Sequence, residues 1–126
     1  MSSVYEAVGG MAYFEGLVDR FYGRVANDEV LLALYPDQVD LGPAKQRLTL
    51  FLAQYWGGPT TYSDERGHPR LRMRHFPFVI GVTERDHWIQ AMAESVVESE
   101  PRLSPELEEE LIRYFVMAAE AMRNQD

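Results

Sequence analysis

The sequence predicts an all-α domain with four main helices, shorter helical pieces between them and one long irregular loop. Three observations carry this prediction. Apolar residues recur at three- and four-residue intervals over several long stretches. Capping residues, prolines and glycines stand where those stretches begin and end. No stretch sustains the apolar–polar alternation of a half-buried strand. With 126 residues, 46% of them hydrophobic, the chain suits one domain over residues 1–126 and can bury a real core.

The first long helix starts near Met11 and carries Phe14, Leu17, Val18, Phe21, Tyr22 and Val25 as one stripe. Asn27 or Asp28 caps a short helix from Glu29 to Leu34, which Pro36 ends. The next helix runs from about Pro43 to Trp56 with Ala44, Leu48, Phe51, Leu52 and Tyr55 on one face, and Gly57-Gly58 stops it. Thr83-Glu84-Arg85-Asp86 reads as a capping box, and the helix behind it carries Trp88, Ile89, Met92 and Val96. Ser104-Pro105-Glu106 opens the last helix with a cap, a first-turn proline and an acid at the positive helix end. Leu107, Leu111, Tyr114, Phe115, Ala118 and Met122 form its stripe.

Composition excludes several classes of function. No run of eighteen apolar residues exists, so no membrane span is expected. Met1 to Glu6 has neither a basic stretch nor an apolar core, so no signal peptide is expected. There are no cysteines, which rules out disulfides, thiolate metal sites, cysteine nucleophiles and C-x-x-C-H haem attachment. A cytoplasmic location fits that composition. A formal net charge of −8 argues against a nucleic-acid partner, since a polyanion would be repelled. The charge is uneven, however: Arg66, Arg70, Arg72 and Arg74 account for four of the twelve basic residues. Such a cluster suggests a nearby anion, and is equally compatible with a solvated loop of scattered ion pairs.

Residues 57–70 show no periodicity and are expected to form a long irregular loop, which in a compact domain points to function or disorder. Leu71 to His75 follows, and Pro77 disfavours helix at Phe76, so any helix here is short and ends at His75. The three histidines, His68, His75 and His87, are spaced by seven and twelve residues, which matches no metal pair on one helical turn. A three-ligand zinc site is therefore disfavoured. A single histidine suits haem, because the porphyrin supplies four of the iron's bonds. His75 is the best candidate. Leu71, four residues earlier, shares its helix face and would pack on the porphyrin. Arg72 and Arg74, with Arg47 from the other side, would pair with the propionates through two-donor contacts. Taken alone, a histidine near a helix end is more often a surface or capping residue.

A longer match bears on that choice. Tyr5-Glu6-Ala7-Val8-Gly9-Gly10, Phe21-Tyr22, Tyr35-Pro36, the run Phe51 to Pro59 (FLAQYWGGP), the run Gly67 to His75 (GHPRLRMRH) and Trp88 together resemble the group II truncated haemoglobins over nearly the whole chain. The run ending in His75 is the most specific of these. The resemblance implies a two-over-two helical sandwich of globin type and a non-covalent haem b with His75 as the proximal ligand. It implies Tyr22, Tyr35 and Trp88 on the distal side. It also implies haem contacts from Arg47, Leu48, Phe51, Tyr62, Leu71, Arg72, Arg74, Phe78 and Trp88.

Bound oxygen carries partial negative charge and accepts hydrogen bonds; phenols donate and accept, and the indole only donates. One such bond contributes about 1.5–3 kcal/mol. The alternative for each aromatic is ordinary core packing, and Tyr35 has a further one, a bond to Tyr22. Ala44 stands where many globins carry a polar distal residue; it donates nothing and leaves a short entry route over a small side chain. His87 is expected at the surface and His68 in the loop turn. The expected ligands are oxygen, carbon monoxide, nitric oxide or sulfide, with the protein a monomer or homodimer. The competing reading is a redox enzyme, performing nitric oxide dioxygenation or peroxidase-type chemistry. It needs a separate reductase, since no nucleotide-binding glycine motif is present. A haem-free helical module would explain the helices, but not the arginine cluster or the match around His75.

Overall fold

The computed structural model describes residues 3–36, 38–70, 74–75 and 78–125. Among these, the helices are α1 (Val4–Val8), α2 (Met11–Val25), α3 (Glu29–Leu32), α4 (Gly42–Tyr55), α5 (Thr61–Arg66), α6 (Val82–Val97) and α7 (Pro105–Met122). None of the described residues forms a strand.

The long stripes supply the core, although Tyr55 at the end of the α4 stripe stays 50% exposed. On α2, Phe14, Leu17, Val18, Phe21, Tyr22 and Val25 are all buried. Burial of aliphatic and aromatic side chains of this kind contributes about 1.5–3 kcal/mol each. Helix α2 packs on α4 and on α6, and α6 packs on α7, which makes a two-over-two helical sandwich. Trp56 bridges the layers: its ring stacks on Phe14 at 5.9 Å and meets Phe115 edge-on at 5.6 Å.

The caps explain where helices begin. Of the two expected caps for α3, Asp28 serves: its Oδ1 accepts from the Val30 and Leu31 N–H groups at 2.9 and 3.2 Å. Ser104 Oγ accepts from the Leu107 N–H at 3.3 Å, with Pro105 opening α7. Helix α6 starts earlier than the Thr83 box implies. The Glu84 carboxylate accepts from the Gly81 N–H at 2.7 Å, so the helix already begins at Val82 and Thr83 lies inside its first turn.

Two short helices escape the sequence pattern. Helix α1 buries no residue fully and rests on its ends: Ser3 Oγ accepts from the Glu6 N–H at 3.2 Å, and Gly9 turns left-handed at φ +109°. The Tyr5 N–H donates to the Trp56 carbonyl at 2.9 Å, tying α1 to the end of α4. Gly58 permits that contact, since a Cβ there would lie 2.6 Å from the Tyr5 ring. Helix α5 corrects the expectation of an irregular loop through residues 57–70. Only Tyr62 of its six residues is buried, so no stripe announces it. The Gln54 side chain holds it, accepting from the Ser63 N–H at 2.9 Å and donating to Ser63 Oγ at 2.6 Å.

Polar contacts also fix α2 against α6. Arg20 Nε donates to the Ser95 carbonyl at 2.9 Å and Nη2 to Ser99 Oγ at 3.2 Å. Arg24 pairs with Glu94 at 3.1 Å and Glu98 at 2.7 Å. His87, expected as a plain surface residue, is in fact half-buried with Nδ1 2.8 Å from Asp28 Oδ2, joining α6 to the cap of α3.

Candidate functional site

The stripes of α2, α4, α6 and α7 do not close completely on one another. They leave a cavity of about 480 Å³ whose walls are mainly apolar. That is the size and character of a small-molecule or cofactor site. The structure brings together His75, Tyr22, Tyr35, Trp88, Arg47, Leu48, Phe51, Tyr62, Arg74 and Phe78 around this one space. Leu71 and Arg72, also expected here, lie outside the described residues. His68 and His87 do not line it, so the cavity contains a single imidazole.

His75 follows Arg74 in a short helical segment, with the Arg74 N–H donating to the Arg70 carbonyl at 3.0 Å. The Phe78 N–H returns to the His75 carbonyl at 3.0 Å, and the two rings meet edge-on at 6.2 Å. Among the described residues no group of three or more His, Asp or Glu could hold a metal ion by itself. A lone imidazole in an apolar cavity therefore fits an iron that brings its own equatorial nitrogens.

Three hydrogen-bonding aromatics enter the same space. Tyr22, from α2, is 6% exposed, and its hydroxyl accepts a bond from the Tyr35 hydroxyl at 3.2 Å. Of the two roles open to Tyr35, the structure gives its proton to Tyr22. The Tyr22 hydroxyl, already an acceptor, keeps its own hydrogen to donate. Burial pushes the Tyr22 phenol well above its ordinary range, Tyr35 adds to this, and the Arg47 charge opposes it. Burial also raises Tyr35, with its bond to Tyr22 and the Arg47 charge acting in the other direction. Both are neutral donors at physiological pH. Trp88, from α6, is packed between Phe21 at 5.5 Å and Phe115 at 5.7 Å.

Cations mark the rim. Arg47 and Arg66 are exposed yet line the cavity, so they stand where it meets solvent. Arg74 lies over the Tyr62 ring at 5.8 Å, and its Nη2 donates to the Arg66 carbonyl at 2.9 Å. These guanidiniums suit a flat apolar group with carboxylates at its edge. Ala44, on α4, also lines the space with its small side chain.

Sequence reasoning missed several lining residues. Arg66 stood within the arginine cluster but was not assigned to the site, and its place beside the basic run was the available signal. Tyr114, Phe115, Ala118 and Met122 were legible as a helix stripe; only the fold shows that this stripe faces the cavity. Burial beside Tyr55 pushes the Tyr114 phenol up to about 12. Arg85 and Glu84 also reach the lining, and Arg85 is tied to Glu120 at 2.6 Å.

Comparison with known proteins agrees with this geometry. Residues 3–124 match the bacterial-like globin family. The group 2 truncated haemoglobin YjbI of Bacillus subtilis is 38% identical over 121 residues, covering 96% of this chain and 88% of that protein. The X-ray structure of a thermostable haemoglobin from Thermobifida fusca is 55% identical, with a TM-score of 0.93 over 98% of both chains. A truncated oxygen-avid haemoglobin from Bacillus subtilis is 36% identical, with a TM-score of 0.89 over 98% of this chain and 100% of that one. Among the described residues no helix is long and apolar enough to cross a membrane. The fold, the single-imidazole cavity and these likenesses identify the chain as a member of the bacterial-like globin family, among the group 2 truncated haemoglobins, whose common property is ligand binding at haem.

Proposed function

We propose that residues 1–126 form one domain that holds a single haem b without covalent attachment, uses His75 as its axial ligand, and reversibly binds oxygen. Carbon monoxide, nitric oxide and sulfide would compete for the same position. One observation carries this reading: a single imidazole, a hydrogen-bonded phenol pair and an indole converge on one apolar cavity rimmed by arginines. The lack of cysteine argues against thioether attachment.

Haem supplies an iron with one position open to a small ligand. His75 would supply the protein's nitrogen to that iron. Leu48, Phe51, Tyr62, Phe78 and the Trp88 ring would exclude water from the porphyrin, and Arg47 and Arg74 would pair with its propionates. Leu71 and Arg72, outside the described residues, are assigned the same two roles by the family resemblance. Tyr22 would donate from its hydroxyl to the ligand, oriented by the bond it accepts from Tyr35, so that Tyr35 would act through Tyr22. Trp88 would donate from its indole nitrogen. Charge-assisted bonds of this kind are stronger than neutral ones, which favours retention over rapid delivery. The oxygen-avid character named for the Bacillus subtilis relative supports the same direction.

The test is the absorption spectrum of the protein with stoichiometric haem, beside His75→Ala. A sharp Soret band that shifts with carbon monoxide, and is lost or altered in the variant, supports the reading. No haem uptake by the wild type overturns it, and an identical spectrum in the variant removes His75 as the ligand.

A further inference from the structure

Beyond α7 the chain does not simply trail off. Arg123 leaves the helix in an extended conformation, which brings Asn124 alongside residues 78–80. The Asn124 side chain then uses both halves of its amide. Oδ1 accepts from the Ile80 N–H at 2.9 Å, and Nδ2 donates to the Phe78 carbonyl at 2.7 Å. Its backbone N–H donates to the Ile80 carbonyl at 2.8 Å, where the Gln125 N–H also arrives at 3.1 Å. These bonds span more than forty residues of sequence and hold a segment that is otherwise outside any helix.

That segment is the one leading out of His75. Phe78 donates its N–H to the His75 carbonyl at 3.0 Å, and its ring lies 6.2 Å from the imidazole. Both Phe78 and Ile80 line the cavity. A continuous set of bonds therefore runs from Asn124 through Phe78 to the backbone of His75. Only a carboxamide of this length presents an acceptor and a donor side by side to a neighbouring backbone. Aspartate keeps the acceptor but loses the donor, and sets a charge against the Phe78 carbonyl.

We infer that Asn124 is a positioning residue for His75: through Phe78 and Ile80 it fixes the backbone that aims the imidazole into the cavity. The inference rests on the proposed role of His75 as the axial ligand. It predicts that Asn124 governs the strength of the iron–imidazole bond, although its own side chain bonds only backbone groups of residues 78 and 80.

The experiment compares the iron–imidazole stretching band of the ferrous, ligand-free haem protein, by resonance Raman, in wild type, Asn124→Ala, Asn124→Asp and Glu109→Gln. Glu109→Gln is the control, since it breaks the exposed Arg113 pair on the same helix, away from the cavity lining and from residues 78–80. The expected result is a shifted or broadened band in both Asn124 variants and an unmoved band in the control. Haem transfer to an acceptor apoprotein should also be faster by about tenfold in Asn124→Ala, the equivalent of the side-chain bonds lost. Asn124→Asp retains the bond to Ile80, so it serves if the alanine variant does not fold. An unmoved band in a folded, haem-loaded Asn124 variant overturns the proposal and leaves Asn124 as a staple for the chain end. An equal shift in Glu109→Gln overturns it too, because the effect would then belong to the stability of α7 as a whole. A wild type without any iron–imidazole band refutes the axial role of His75, and the two failures are thereby distinguished.

Discussion

Replacing Tyr22 by phenylalanine removes a single oxygen atom from a packed ring. The ring itself is held edge-on by Phe21 at 5.1 Å and Tyr35 at 5.5 Å, so packing survives the change. The hydroxyl's hydrogen bonds do not. The donor proposed for the ligand disappears, at about 1.5–3 kcal/mol for a charge-bearing acceptor. At about 1.4 kcal/mol per decade, oxygen release accelerates by roughly ten- to a hundredfold. The Tyr35 hydroxyl also loses the acceptor it now has at 3.2 Å. That neutral bond is worth about 1 kcal/mol, or a fall in Tm of about 4 °C for a chain of this size. Tyr35 can turn its freed proton to the ligand and recover part of the loss, so Tyr22→Phe/Tyr35→Phe should release oxygen faster than Tyr22→Phe alone. The assay is stopped-flow oxygen dissociation with carbon monoxide as the trap. Release rates that match wild type in both the single and the double variant would refute the donor role of Tyr22.

Four further outcomes are expected. Trp88→Phe keeps a ring between Phe21 and Phe115 but removes the indole donor, so oxygen release should again rise roughly tenfold or more by the same stopped-flow assay. Burial holds the Tyr22 and Tyr35 phenols above the ordinary value of 10.0, so their folded-state preference for the neutral form stabilises the fold below pH 10 and is lost above it; tyrosinate absorbance should show both phenols ionising only on unfolding. The Asp28 carboxyl sits below its ordinary 3.8: burial works against its charge, and the His87 bond with the Leu31 and Val30 amides outweighs it. Its stabilisation is present above that value and lost as the pH falls through the lowered one, so the stability gap between wild type and Asp28→Asn, which still caps a helix, should close on acidification in denaturant titrations. Removing haem should lower Tm and make it depend on added haem, because a ligand bound only by the native state stabilises by mass action; a Tm insensitive to haem would argue against the cavity as its site.

The main helices were legible because each carries a stripe that must be buried, and stripes are local. Helices α1 and α5 were not, since one buries nothing fully and the other only Tyr62. Their stability lies in caps and in a Gln54 side chain on another helix, which no local pattern records. The gathering of His75, Tyr22, Tyr35 and Trp88 was legible only through the family resemblance, since their separation along the chain says nothing of a shared cavity. Which proton Tyr35 donates to, and the contacts of His87 and Asn124, are fixed by approaches between distant segments. Length matters as well as position: the Glu84 carboxylate reaches back to Gly81, and that reach moved the start of α6.

Under the proposed function, the arginines of α2 have a consequence for ligand kinetics. Tyr22 and Trp88 sit on different helices, so the length of a bond from either proposed donor to a ligand would depend on how α2 is rotated against α6. Arg20 and Arg24 lock that rotation through Ser95, Ser99, Glu94 and Glu98, remote from the cavity lining. Under that proposal, oxygen off-rate would be a gauge of helix alignment. A substitution such as Arg20→Ala should register in it even though Arg20 is absent from the cavity lining.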